Sequence, residues 1–322
     1  MSNDVTIPMK ICVVAPAHNE ELGISEFISQ VAEVFLELEK TGWSTRLVIV
    51  EDGSSDLTWN QILETKCKIN LTQIKFSRNF GHQTAVWAGL ENVQPDEFVI
   101  VMDSDLQDSP REILKITGKF QDGFDCIFMR RQSRQDGFIK RTVAIIYYRL
   151  MSKLSSSTHM DNVGDFYGLS PRSVNSLLRN GERIKYIRGL VSQLGYKTTT
   201  IEYDRNARFA GKTNYTITKM FSLALAGITG FSITPLILTV YLAAIGSASS
   251  IILILYVLYL KLFSNEVLQP GWAFLSIGSL LMSSFALTSL ATISLYVGRI
   301  VQEVKQRPLF YIDELIIRKP NE

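Results

Sequence analysis

Val99-Ile100-Val101-Met102-Asp103-Ser104-Asp105-Leu106-Gln107 is the stretch from which the rest of the chain is read. A β-branched, apolar run delivers two carboxylates, one residue apart, to the place where a buried strand ends and backbone becomes available to a ligand. If extended geometry persists, Asp103 and Asp105 point the same way and Gln107 continues that face. Three hard oxygen donors then converge on one cation, for which Mg²⁺ or Mn²⁺ is the natural guest. Taken alone, the same residues also suit an ordinary solvated turn.

Upstream, Lys10 to Ala15 reads as a buried strand that Pro16-Ala17-His18-Asn19-Glu20 breaks before a helical pattern beginning near Leu22. Leu47 to Val50 is a second strand, ending in Glu51-Asp52-Gly53-Ser54-Ser55-Asp56, where the glycine permits a tight turn and Ser55 or Asp56 can cap the next helix. Leu71 to Phe76 supplies a third strand, Gly81 to Glu91 a helix, and Phe98 to Met102 the strand before the acidic motif. This alternation predicts an α/β fold with a mostly parallel sheet, whose ligand sites lie outside the carboxyl ends of its strands. Asp52, Asp103 and Asp105 are therefore expected on one rim.

Downstream, Asp125 to Met129 reads as a strand, followed by Arg130, Arg131, Arg134, Lys140 and Arg141 around a helix from about Ile139 to Leu154. These cations suit a polyanionic substrate, an anionic lipid surface or simply a solvated face, with Arg131 the candidate ligand contact. Asp165 sits between the loop-like Asn162-Val163-Gly164 and a helix opened by Ser170-Pro171. Beside a bound sugar it could act as general base; otherwise it is a turn or cap residue. Arg205, Arg208 and Lys212 form a basic, glycine-containing segment just before the apolar region, in keeping with lipid phosphates or with the excess of cations on cytoplasmic flanks.

With 322 residues and a net charge of +2, the chain has room for one large domain plus something smaller, and no case for binding nucleic acid. Met1 to Lys10 has no apolar signal core, so the first domain is expected to stay on the side where it is made. Cys12, Cys67 and Cys126 form no CxxC pair and read as free thiols, and His18, His82 and His159 are isolated, so no zinc site is expected. Apolar residues concentrate between about Phe221 and Val297. Thr218 to Thr229 is amphipathic, and Phe231 to Leu260 is 30 residues nearly free of charge, longer at about 1.5 Å per residue than a bilayer core of about 30 Å. Trp272 to Val297 is a second such run, with Trp272 and Tyr296 as interfacial anchors. Basic residues before the first run and after the second put both ends of the hairpin in the cytoplasm. The alternative is a buried helical hairpin of a soluble protein. Pro308 to Ile317 alternates like a strand and is expected to return to the first domain.

Five motifs, in order and spacing, resemble the polyprenyl-phosphate glycosyltransferases of glycosyltransferase family 2: Pro16-Ala17-His18-Asn19-Glu20, Glu51-Asp52-Gly53-Ser54-Ser55-Asp56, Arg78-Asn79-Phe80-Gly81-His82-Gln83, Asp103-Ser104-Asp105-Leu106-Gln107 and Asn162-Val163-Gly164-Asp165-Phe166. The resemblance is greatest to the bactoprenol glucosyltransferases, extends to dolichyl-phosphate mannose synthase, and takes in Gly298-Arg299-Ile300 and Glu303-Val304-Lys305-Gln306-Arg307-Pro308. It implies a GT-A, Rossmann-like catalytic domain over 1–217, an interfacial helix over 218–230, two transmembrane helices within 231–298 and a cytoplasmic tail over 299–322. It also implies inverting sugar transfer from a nucleotide sugar, UDP-glucose by default, to a polyprenyl phosphate such as undecaprenyl phosphate at the cytoplasmic membrane. By that resemblance Pro16, Ala17, Asn19, Glu20, Asp52, Ser54, Asp103 and Ser104 bind the nucleotide sugar. Asp103, Asp105 and Gln107 hold Mg²⁺ or Mn²⁺, Asp165 is catalytic, and Arg131, Arg205, Arg208 and Lys212 meet phosphates. Ser77 to Gly81 shape the site, and a homo-oligomer is implied as possible. His18, Ser104, Arg111, Tyr167 and Leu295 depart from the family pattern, Tyr167 where an Arg is usual. Competing readings are the same reaction with mannose, GlcNAc or an aminoarabinose-type sugar, a processive polysaccharide synthase, whose Gln-x-x-Arg-Trp motif and extra spans are missing, and a non-catalytic nucleotide-sugar-binding membrane protein.

Overall fold

Alternating aliphatic positions build the first strand, β1 (Met9–Ala17), with Ile11, Val13 and Ala15 on one side and Cys12 and Val14 on the other, all fully buried. A strand buried on both faces needs helices above and below it, and the computed structural model has that arrangement. It describes residues 9–66, 68–131, 163–181, 187–204, 234–263 and 271–320, which divide into two units.

The first unit is a sheet with helices on both sides. After β1 come α1 (Ile24–Lys40), β2 (Trp43–Glu51), α2 (Thr58–Glu64), β3 (Leu71–Phe76), α3 (His82–Glu91), β4 (Glu97–Val101), a short 3₁₀ turn and α4 (Ile113–Gln121). Then follow β5 (Cys126–Arg131), β6 (Val163–Leu169), α5 (Pro171–Leu178), α6 (Ile187–Gln193), β7 (Thr198–Tyr203) and, from the C-terminal tail, β8 (Ile312–Arg318). The strand order is β7-β5-β6-β4-β1-β2-β3-β8. Strands β4, β1, β2 and β3 run parallel side by side, β6 is antiparallel between β4 and β5, and β8 is antiparallel along β3. Because β2 and β4 flank β1, the chain reverses direction across the sheet between β1 and β4, where α/β sheets open a crevice.

One core joins Phe27, Ile28 and Phe35 of α1 to Ile116 and Phe120 of α4, with Ile49 and Ile100 between them; the other joins Trp87 and Leu90 of α3 to Val174 of α5 and Leu190 of α6. Several details differ from the sequence expectation. The α1 helix begins at Ile24 rather than Leu22, its first amides bonding to the Glu20 carbonyl. At the start of α2, by contrast, Asp56, one of the two residues expected there, receives the Thr58 N–H (3.0 Å). The stretch from Val163 is strand rather than loop, so Asp165 is a strand residue and neither a turn nor a cap. Helical expectations over 139–154 and 218–230, together with Cys67 and His159, fall outside the described residues.

The second unit contains two long helices, α7 (Thr234–Phe263) and α8 (Trp272–Lys305). Gly246 of α7 lies against Met282 and Phe285 of α8. Val240, Tyr241, Ile252, Leu275 and Leu287 are exposed on them. Among the described residues one stretch, Leu281–Lys305, is long and apolar enough to cross a membrane, and Leu236–Gly246 is a shorter apolar segment.

Candidate active site at the carboxyl ends of the strands

Four parallel strands end on the same rim, and their loops are stitched to one another. Asp52 donates its backbone N–H to Ala17 O (2.9 Å), Met102 to Val14 O (3.1 Å), and the buried Ser104 hydroxyl to Pro16 O (2.8 Å). Asn19, in the left-handed region at φ 56°, donates its N–H to Ser54 Oγ (3.0 Å) and accepts the Ser55 N–H on its side-chain oxygen (2.9 Å). The Ser54 N–H in turn meets the Glu51 carboxylate, and the Glu20 N–H meets Thr58 Oγ1 (2.8 Å). Pro16, Ala17, Asn19, Glu20, Asp52, Ser54 and Ser104 are thus brought together. Most of their polar groups hold the loops to each other.

Asp52 is nearly fully buried, and its two carboxylate oxygens accept the N–H groups of Phe80 (2.6 Å) and Gly81 (2.9 Å). Burial raises its pKa while these two bonds oppose the rise. Gly53, at φ +58°, lets the same loop approach closely: a Cβ there would stand 2.2 Å from Arg78 C and 2.3 Å from Asn79 N. His18 donates Nδ1–H to the Asp52 carbonyl (2.9 Å), which leaves Nε2 to accept from the side-chain amides of Asn19 and Asn79 at 3.2 Å each.

The acidic loop leaves β4 at Val101, so Asp103, Asp105 and Gln107 are not carried on a continuing strand. Leu106 turns left-handed (φ 58°), and Asp105 Oδ1 accepts the Gln107 N–H (3.1 Å). Exposure still alternates: Asp103, Asp105 and Gln107 are half-buried, while Ser104 and Leu106 are buried. Asp108, at the loop's far end, is buried and accepts the Tyr203 hydroxyl (2.6 Å).

The antiparallel strand β6 brings Asp165 to this loop. Val101 pairs with Tyr167, so Asp165 lies two residues further toward the rim. His82, the first residue of α3, has Nε2 at 3.8 Å from both Asp103 Oδ1 and Asp165 Oδ2. Gln83 donates its side-chain N–H to Asp165 Oδ1 (3.3 Å) and accepts the Ile187 N–H (3.3 Å), which ties the carboxylate to α3 and α6. The Asp103 carboxyl is pushed up to about 6 by burial, with the charges of Asp165, Asp105 and Asp108 adding to the rise and His82 opposing it. His82, Gln83, Asp108 and Tyr203 were not among the site residues read from sequence. The Gly81-His82-Gln83 motif held the signal, since a helix start points its first side chains at the rim.

Asp103, Asp105 and Asp165, gathered in a partly buried site, are oxygen donors short of positive charge, and they fit a divalent cation. Among the described residues no three His, Cys, Asp or Glu side chains form a complete cage. Mg²⁺ and Mn²⁺ are commonly bound by one or two carboxylates together with ligand phosphates. Arg131 closes β5 with its backbone paired to Tyr203, while Arg205, Arg208 and Lys212 lie outside the described residues. Tyr167 is only 2% exposed, its ring 6.3 Å from that of Phe128 in the core.

A mostly parallel α/β sheet whose acidic loops gather at its switch point places the candidate site where such sheets bind ligands, outside the carboxyl ends of the strands. The model of the Glycosyl transferase family 2 matches residues 12–178. An uncharacterized glycosyltransferase of Bacillus subtilis, YkcC, is 36% identical over 308 residues, covering 94% of this chain and 93% of that one. The prophage bactoprenol glucosyl transferase homolog of Escherichia coli is 34% identical over 307 residues, 94% of this chain and 98% of its own. The bactoprenol glucosyl transferase of Shigella phage SfII is 34% identical over the same length, 94% and 97%. The chain belongs to glycosyltransferase family 2, with a GT-A-like fold, and is a glycosyltransferase.

Proposed function

We propose that this enzyme transfers a sugar, with inversion, from a nucleotide sugar to a polyprenyl phosphate at the cytoplasmic face of a membrane. UDP-glucose and undecaprenyl phosphate are the leading substrates. The observation that carries the reading is the meeting of Asp103 and Asp165 at one His82 nitrogen, 3.8 Å from each, which joins the β4 loop to β6. The relatives named as bactoprenol glucosyl transferases support the acceptor, and the long apolar Leu281–Lys305 segment supports the membrane setting.

In this reading the loops carrying Pro16, Ala17, Asn19, Glu20, Asp52 and Ser54 hold the nucleotide, with Ser104 fastening the acidic loop beside it. Asp103 and Asp105, with Gln107 beside them, hold Mg²⁺ or Mn²⁺, which when bound offsets charge on the departing diphosphate. The acceptor's second pKa is about 6, so at neutral pH it is already largely ionised and needs little help losing a proton. Asp165, turned by the Gln83 amide, therefore orients the acceptor and stabilises positive charge developing on the sugar. Arg131, Arg205, Arg208 and Lys212 receive phosphates. Residues 1–217 form the catalytic domain, 218–230 an interfacial helix and 231–298 a two-helix membrane hairpin. The segment 299–322 is the tail, and both termini are cytoplasmic.

Asp165→Asn keeps the size and the Gln83 contact but removes the charge, so turnover at pH 7.5 is expected to fall by about 10²-fold or more. The fall should appear in kcat with little change in the donor KM. Near-normal turnover of Asp165→Asn would reject this role.

A further inference from the structure

The C-terminal tail is fastened where the loop after β3 begins. Strand β8 runs antiparallel to β3, with Leu71 opposite Arg318 and Phe76 opposite Ile312, and Lys75 is paired with Asp313 (3.0 Å) and Glu314 (3.1 Å). Just before β8, the Phe310 ring stacks on Phe76 (centroids 5.0 Å apart, planes at 19°), and Ser77 donates its N–H to the Tyr311 carbonyl (3.0 Å). Phe80 then stands edge-on to Phe76 (5.6 Å), tilted against Tyr311 (6.1 Å), with the Arg78 guanidinium 4.2 Å from its ring centre. The Phe80 and Gly81 amides are the two donors that hold the Asp52 carboxylate.

What the tail covers is limited. Tyr311, Ile312, Leu315 and Ile317 are 42–64% exposed, while Leu309 and Phe310 are packed against the core. A strand that buries so little of its own apolar surface adds little hydrophobic stabilisation along its length. Ahead of the strand, Tyr311 reaches the loop from Ser77 to Gly81 through the Ser77 N–H and the Phe80 ring, and Phe310 backs it through Phe76.

We propose that Phe310 and Tyr311 are positioning residues for the donor site: by packing on Phe76 and Phe80 they set the loop whose amides hold Asp52. The effect on the donor rests on the reading that this loop and Asp52 flank the bound nucleotide. The tail acts on binding through Phe80 and touches no reacting atom. Ordering the loop beforehand spares the donor the entropy of ordering it on binding.

The experiment uses the full-length protein and the variants Phe310→Ala, Tyr311→Ala and Tyr311→Phe. Amide exchange of the peptide covering 77–81 is expected to quicken about tenfold in both alanine variants, with peptides from β1 and β2 unchanged. Tyr311→Phe, which keeps the ring, should exchange like wild type. In steady-state assays the donor KM should rise about fivefold in the alanine variants while kcat stays within about twofold. Because Tyr311 is more than half exposed, its alanine variant keeps the test open even where Phe310→Ala folds poorly. Unchanged exchange at 77–81 overturns the inference, as does faster exchange with an unchanged donor KM. A wild-type enzyme that transfers sugar from no donor tells against the proposed function, while the exchange result still decides whether the tail positions the loop.

Discussion

Asp125 shows how much a single side chain can carry away from the active site. It is buried at the start of β5, accepts the Ser170 hydroxyl (2.9 Å), and is gripped through Nε and Nη2 of Arg172. The Arg172 guanidinium, aided by Ser170, holds its carboxyl below the usual carboxylate range. A depressed folded pKa gives stabilisation that is present above the unfolded value, about 3.9, and is lost as pH falls through the folded value. Asp125→Asn is therefore expected to lower stability at pH 7 by about 1–2 kcal/mol, Arg172 being largely exposed. Urea unfolding should show the gap to wild type constant above about pH 5 and shrinking toward pH 3. A gap that does not change with pH contradicts the ion pair as its source. At this scale the sequence singled out the carboxylates and the Arg78–Gln83 motif, but not which atoms of that motif meet them. Asp103 and Asp52 stand out in any reading of the motifs. Their neighbours Phe80, Gly81 and His82 belong to the loop and helix start after β3, which the parallel pairing of β4, β1, β2 and β3 brings alongside.

At the scale of elements, the strand–helix alternation was legible because each buried parallel strand is a short apolar run ending in a polar loop. Two elements hid. β6 opens in Val163-Gly164, which reads as loop, and further along it Gly168 sits under α4: a Cβ there would stand 2.6 Å from Ile116 Cγ2 and 2.8 Å from Phe120 Cζ. The glycine marks a close approach of helix to strand rather than a turn. Gly168→Ala is expected to lower stability by about 1–3 kcal/mol through overpacking. It should also lower kcat, since Asp165 lies three residues away on the same strand. A variant as stable as wild type in denaturant unfolding would mean that α4 gives way freely. The acidic loop is the other case. A period of two in the sequence suggested a continuing strand, and the pattern of burial keeps that period, but Leu106 at φ 58° shows that a turn produces it.

For the whole molecule, the chain reads as a catalytic α/β unit and a pair of long helices, with the final strand pairing to β3 of the catalytic unit. The two apolar runs and their basic flanks were visible in composition. Which sugar is recognised was not, because a few hydroxyl contacts in a loop decide it. The proposal of metal-dependent sugar transfer to a lipid phosphate draws on the two carboxylates of the acidic loop, the strand-borne Asp165 and the bactoprenol-named relatives. The most direct test incubates purified full-length protein with undecaprenyl phosphate and a panel of radiolabelled nucleotide sugars, with Mg²⁺ or Mn²⁺ and with EDTA. A single organic-phase glycolipid, formed from one donor and abolished by EDTA, is the predicted result. Absence of labelled lipid from every donor, with the protein folded and the acceptor present, would contradict it.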